Sequence, residues 1–309
     1  MTPKVSVVVP IYNQAPFIRE TVESVLSQDH ENFELVLSDD GSTDGTGEIL
    51  REYEARDRGR VRVVASERNT GIADAFNRGL DAQSGDYIAW LGGDDVMLPS
   101  KLSCQVAVLE ERRDAIGCCH DAEVFDSASG RVYGRFSEVY NGRSGVRDGS
   151  VELLLDPTYL MLPSTMMVRS DAVGTLRFDP RVRVANDWLF DIELFRHGRI
   201  VGIDDVLARY RRHERNATSE SSDMLEDALV VLAVAEARYP ELHRLIRRRR
   251  IAATFGEASR RMRTGDRRTA RRYLASAAGT GGLLRAVLVG MSLVKVEIGR
   301  RRLGASVPR

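Results

Sequence analysis

With 309 residues, 43% of them hydrophobic and 29% charged, the chain can bury a large core and hold one sizeable domain plus an appendage. Basic and acidic residues balance at 45 each, which excludes a nucleic-acid binder working through bulk positive charge. The three cysteines, Cys104, Cys118 and Cys119, exclude a disulfide framework and imply reduced thiols in a cytoplasmic protein.

The first third alternates strand and helix. Val5–Val9 is a β-branched run closed by Pro10, and Ile18, Val22, Val25 and Leu26 mark one face of the helix after it. Leu35–Leu37 is a second apolar strand, ending at Asp39 and Asp40. The small polar run Gly41-Ser42-Thr43-Asp44-Gly45 then opens a helix bearing Ile49, Leu50 and Tyr53. Val61–Val64 precedes Asn69-Thr70-Gly71 and a helix with Ile72, Phe76 and Leu80. Tyr87–Leu91 runs into Gly92-Gly93-Asp94-Asp95, followed by a helix with Leu98, Leu102, Val106 and Leu109. Repeats of this kind predict a mostly parallel central sheet with helices on both faces. Ligands of such sheets bind beyond the carboxyl ends of the strands, where both pairs of aspartates fall. The aspartates equally suit turns and helix caps.

After Gly117 the rhythm changes. Ala122–Phe125 and Arg131–Phe136 read as a β-hairpin, Asn141–Gly149 as a loop, Val151–Leu155 as a short helix and Thr165–Val168 as a strand. A helix opens at Asp187 with Leu189, Ile192 and Phe195 inward, and Val206–Tyr210 is a further strand. From about Asp223 strand signals vanish: Met224–Arg238, His243–Arg263, Asp266–Ala278 and Leu283–Arg302 read as helices. From Arg244 onward 18 Lys/Arg meet only Glu257, Asp266 and Glu297, a local net charge of +15 that the remainder balances. A basic tail on an acidic body predicts either contact with an anionic membrane surface or a solvated helical face. No apolar run approaches the roughly 20 residues of a spanning helix. The strand begins within a few residues of Met1, leaving no room for a signal peptide. The expectation is a cytoplasmic protein, peripheral at most to the inner face of the membrane.

Several separated motifs in the right order resemble the inverting family 2 glycosyltransferases with the GT-A fold, strongly over residues 3–125 and more loosely over 160–215. The resemblance implies a GT-A domain over residues 1–220, its nucleotide-sugar half about 1–125 and its acceptor half about 126–220, with a basic helical region over 221–309. It also implies a nucleoside-diphosphate sugar donor, UDP-linked, and a saccharide or lipid-linked acceptor in surface polysaccharide or glycolipid synthesis. Nucleotide contacts would come from Pro10, Tyr12, Asn13, Asp39, Asp40, Asn69 and Gly71. Gly71-Ile72-Ala73-Asp74-Ala75-Phe76-Asn77 is close to a Gly-Ile-x-Asp-Ala-x-Asn pattern of a bacterial subset, placing Asp74 near donor or acceptor or simply at a helix start.

The family's metal-binding Asp-x-Asp falls on Gly92-Gly93-Asp94, with its first acid replaced by Gly92. Asp94 survives, and Gly93 lets a phosphate or sugar approach the backbone. Mg²⁺ or Mn²⁺ is the implied cofactor, since such ions accept one or two carboxylates plus phosphate oxygens. The catalytic base maps to Asp187 of Asn186-Asp187-Trp188-Leu189, with Asp191 in reserve; a helix cap is the plainer role for Asp187. Tyr210-Arg211-Arg212-His213 resembles a Tyr-Arg-x-His segment, so Arg211 would meet the diphosphate and His213 the metal, unless the segment is only a charged loop. The altered metal motif keeps open a non-catalytic nucleotide-sugar-binding or scaffolding protein. A dehydrogenase is disfavoured because no G-x-G-x-x-G follows the first strand.

Overall fold

The computed structural model describes residues 2–214, 216 and 224–281, built around one nine-stranded sheet. Strands β1 (Val5–Ile11), β2 (Phe33–Asp39), β3 (Val61–Ala65) and β4 (Tyr87–Trp90) are parallel, in the order β3-β2-β1-β4. Helices α1 (Ile18–Leu26), α2 (Thr46–Arg56) and α3 (Ile72–Ala82) connect them. Residues alternate between two cores because successive strand side chains point to opposite faces. Val7 and Val9 pack with Ile18 and Val22 of α1 on one face. Val8 and Val36 pack with Phe76 and Leu80 of α3 on the other. α4 (Lys101–Glu111) adds Leu102, Val106 and Leu109 to the α1 side. Helices thus cover both faces, as expected.

Beyond β4 the sheet is mixed. β5 (Val96–Met97), β6 (Ala115–Asp126), β7 (Val132–Arg135), β8 (Met166–Arg169) and β9 (Arg199–Arg212) complete it. β8 is antiparallel to both β4 and β6, β9 is parallel to β6, and β5 is antiparallel to β9. β7 folds back on β6 as the expected hairpin, but Phe136 starts helix α5 (Phe136–Asn141) rather than ending the strand. The expected strand Val206–Tyr210 is only the second half of β9. His120 pairs with Ile203 and Asp121 with Val206, so Asp204 and Asp205 are bulged out of the ladder. That polar bulge masks the strand in the sequence.

Short helices α6 (Val151–Leu154) and α7 (Ser170–Val173) precede α8 (Asn186–Phe195). α9 (Met224–Arg238), α10 (His243–Arg263) and α11 (Arg267–Gly281) follow the sheet. The expected helix Leu283–Arg302 and the 220/221 boundary lie outside the described residues. The helical region is not detached: Val231, Leu232, Ala235 and Ile246 share one apolar core with Leu189 and Ile192 of α8. Among the described residues no helix is long and apolar enough to cross a membrane.

Candidate functional site

Three loops meet at the carboxyl ends of β1, β2 and β3. Asn13 takes a left-handed conformation (φ 53°), which Asn tolerates, and so turns its amide toward the second loop. Its N–H donates to Ser42 Oγ (2.9 Å) and its Oδ1 accepts from Thr43 N–H (2.9 Å). The Ser42 hydroxyl donates in turn to Asp39 Oδ1 (2.6 Å). Gly41 (φ 72°) lies against the third loop so closely that a Cβ would stand 2.6 Å from the Arg68 carbonyl carbon. The neighbouring carboxylate locks that loop: Asp40 accepts from Thr70 Oγ1 (2.8 Å), Gly71 N–H (2.7 Å) and Arg78 Nη2 (2.7 Å). Burial opposes its charge, but these bonds from Arg78, Thr70 and Gly71 outweigh burial and hold the carboxyl below its usual range.

The knitted loops wall a cavity of about 480 Å³ that also reaches the end of β4 and the start of α8. Pro10, Tyr12, Asp40, Asn69, Gly71, Gly93, Asp94 and Asp187 all line it. The sequence places these groups in separate segments; folding brings Asp40, Asp94 and Asp187 into one cleft. Asp94 faces the cavity while His213 Nε2–H donates to its Oδ2 (2.8 Å), and the imidazole packs on Phe17 at 4.5 Å. Asp95, behind it, is buried and accepts from Ser164 Oγ (2.6 Å) and Arg211 N–H (3.0 Å). Burial, then the adjacent Asp94 charge, pushes its carboxyl up.

No group of three His, Cys, Asp or Glu side chains able to hold a metal occurs among the described residues. The donor set present is one carboxylate on the wall, Asp94, backed by the His213 imidazole. A divalent cation of the hard, oxygen-preferring kind fits such a set when ligand phosphates supply the remaining oxygens. Gly92 matters here: a Cβ at that position would stand 2.9 Å from Asp94 Oδ1 and 3.2 Å from Asp95 Oδ2, so an acid there requires both carboxylates to shift.

Asp187 occupies the first turn of α8, where a carboxylate is favoured by the helix dipole. Its Oδ1 accepts from Trp188 N–H (2.8 Å). The residue is half-exposed, yet its carboxyl sits at the bottom of the cleft among protein atoms, and that burial pushes it up to about 6. Asp191, one turn on, is raised well above the usual carboxylate range by burial and by the Asp187 charge. Asp187 also lines a second cavity of about 340 Å³, walled by Tyr140, Tyr159, Trp188, Tyr210, Arg212 and Arg249. Asp187 therefore stands where the two cavities meet.

Other expected residues sit elsewhere. Asn13 and Asp39 bond within the loops and are not on the wall; neither is Asp74, where Gly71, Ile72, Ala75 and Phe76 face the space instead. Arg211 is buried: its Nη2 donates to Glu20 (2.5 Å) and its Nε to the Asp94 carbonyl (2.7 Å). It braces the chain carrying Asp94 from behind. Three residues take places that the sequence reading did not assign them. Asn186 is 1% exposed and borders the first cavity, and neither amide atom finds a partner among the described residues. Asn77 grips the chain before α8, donating to the Phe178 carbonyl (2.9 Å) and accepting from its N–H (2.8 Å). Arg249 reaches the second cavity from α10. The Asn186-Asp187 pair was visible as a motif; the other two depend on tertiary neighbours.

The model of the glycosyl transferase family 2 matches residues 6–170. Among similar proteins, the glycosyltransferase EpsE of Bacillus subtilis is 44% identical over 36% of this chain, a match spanning 40% of EpsE. TuaG of the same organism, a glycosyltransferase named for teichuronic acid biosynthesis, is 32% identical over 68% of this chain and 79% of its own. The crystal structure of Staphylococcus aureus TarS 1–349 in complex with UDP-GlcNAc superposes with a TM-score of 0.68 at 19% identity, covering 99% of this chain and 93% of that one, which establishes the GT-A-like fold. A family match over more than half the chain, on a sheet whose loop ends form one acidic cleft, makes this chain a member of glycosyl transferase family 2 and a glycosyltransferase.

Proposed function

We propose that the protein transfers a sugar from a uridine-diphosphate donor, with inversion, to a hydroxyl of a saccharide or lipid-linked acceptor in surface polysaccharide or glycolipid synthesis. The observation that carries this reading is the position of Asp187, on the wall of both cavities at once. The first cavity takes the donor. Tyr12, Asn69 and Gly71 stand along the nucleoside, with Asp40 fixing the loop that bears the last two. The buried, unpartnered amide of Asn186 costs about 1–3 kcal/mol in the free protein, which hydroxyls of a bound sugar would offset. Asp94, backed by His213, would hold Mg²⁺ or Mn²⁺ together with the diphosphate. Bound there, such an ion supplies Lewis-acid stabilisation of the leaving group. From the second cavity the acceptor hydroxyl presents its proton to Asp187 as its oxygen attacks the anomeric carbon from the face opposite the diphosphate. The basic helices α10 and α11 would rest on the anionic inner face of the membrane.

Two substitutions test the reading. Asp187→Asn should leave UDP-sugar affinity within about threefold while turnover falls by several orders of magnitude; unchanged turnover removes Asp187 from the role. Hydrolysis of the donor should need Mn²⁺ or Mg²⁺ and disappear in Asp94→Ala. The sparse metal set, one wall carboxylate backed by an imidazole, favours one second reading, a nucleotide-sugar binder without catalysis. Donor binding without hydrolysis or transfer under any metal would establish that instead.

A further inference from the structure

The second cavity holds two guanidiniums that form no ion pair among the described residues. Arg249 on α10 and Arg212 at the end of β9 both line it. Arg249 Nη1–H donates to a backbone carbonyl, that of Asp156 (2.8 Å), and its guanidinium lies 5.1 Å from the centre of the Trp188 ring. Arg212 stands beside Tyr140 and Tyr210. Their sequence neighbours are paired, Arg211 with Glu20 and Arg250 with Glu236. Among the described residues no carboxylate lies within ion-pair distance of Arg249 or Arg212. Burial draws the Arg249 guanidinium down to about 10, against the opposing charge of Asp156.

The acidic groups on the same wall are Asp187 and Asp191. Burial, then the Asp187 charge, raises the Asp191 carboxyl well above its usual range, and neither acid forms an ion pair with Arg249 or Arg212 among the described residues. Removing charges from water without a partner is costly, and arginine's planar fork matches carboxylate and phosphate oxygens two at a time. Tyr140, Tyr159, Trp188 and Tyr210 give the remaining wall flat faces suited to a sugar ring.

We propose that this cavity selects an acceptor sugar bearing an oxyanion, a carboxylate or a phosphate, gripped by Arg249 and Arg212 while the aromatic side chains face the ring. The inference rests on the second cavity being the acceptor chamber. Its test uses the full chain saturated with UDP and three probes read by ligand-observed NMR: p-nitrophenyl β-glucoside, the corresponding β-glucuronide, and the 6-phosphoglucoside. At least one anionic probe should bind tenfold or more tightly than the neutral glucoside; which one does so separates carboxylate from phosphate. Arg249→Gln and Arg212→Gln should each reduce that preference to threefold or less, and Arg249→Lys should retain part of it. Equal or tighter binding of the neutral probe by the unaltered protein overturns the inference, as does failure of all three to bind. Neither result touches the donor reading, which fails only if UDP itself does not bind.

Discussion

Burial around Asp187 places its carboxyl near 6, so the group is mostly a base at neutral pH and mostly an acid one or two pH units below. kcat/KM should therefore rise with pH along a limb centred near pH 6, and a profile flat through that range would show another group to be the base. The same displacement acts on stability. The folded-state value lies above the ordinary carboxylate value, so the stability owed to the protonated form is present at acid pH and is lost as pH rises through about 6. Asp187→Asn removes that loss. Its melting temperature should gain on the unaltered protein between about pH 4 and about pH 7 and hold its advantage above that; a constant difference across the lower range would show that the carboxyl is not perturbed. At this scale the sequence revealed Asp187 and Asp94 through their neighbours in motifs. It did not reveal Arg211 as a brace, because the pairing with Glu20 joins residues far apart in the chain.

Between elements, the distance from the loops after β1, β2 and β3 to Asp187 is set by α3, the end of β4 and α8. Phe178 stacks between Phe76 of α3 (4.3 Å, 8°) and Phe190 of α8 (4.1 Å, 3°), with Trp90 of β4 edge-on to all three. Asn77 clips the Phe178 backbone to α3 through both amide atoms. Asn77→Leu strips partners from two backbone groups and should cost about 2–6 kcal/mol in urea denaturation, summing roughly 1–3 kcal/mol for each group left unpaired. Turnover should fall with donor affinity less affected; a loss below about 0.5 kcal/mol would mean the clip is dispensable. The strand-helix alternation of the first 111 residues was legible because each apolar run keeps one period. β5 was too short to register, and β9 was half hidden by the bulge at Asp204 and Asp205. The final asparagine of the Gly-Ile-x-Asp-Ala-x-Asn string shows the limit: its spacing was readable, but its partner a hundred residues on was not.

Across the whole molecule, the C-terminal helices do two things that composition alone could not separate. One side joins the core through Ile246 and delivers Arg249 to the second cavity. The other exposes Arg267, Arg268, Arg271 and Arg272, spaced to share one face of α11. If that stripe rests on anionic lipid, changing the four to Gln should weaken binding to phosphatidylserine vesicles by roughly 1 kcal/mol per residue at low salt and remove most of its salt dependence. Unaltered vesicle binding would assign the stripe elsewhere. Cutting the chain before Arg244 is the poorer test, since it also removes core side chains such as Ile246 and Ile251 and uncovers those they pack against. The excess of basic residues was plain from the sequence; which of them point inward follows only from packing.

Leu162, Pro163, Val184, Asp187 and Tyr210 line both chambers. When no sugar fills the aromatic chamber, solvent will, and a water molecule beside Asp187 then holds the place of the incoming alcohol. On the proposed roles, a slow, futile breakdown of the donor would be the idling state of this architecture, and a well-matched acceptor would suppress it simply by evicting the competitor.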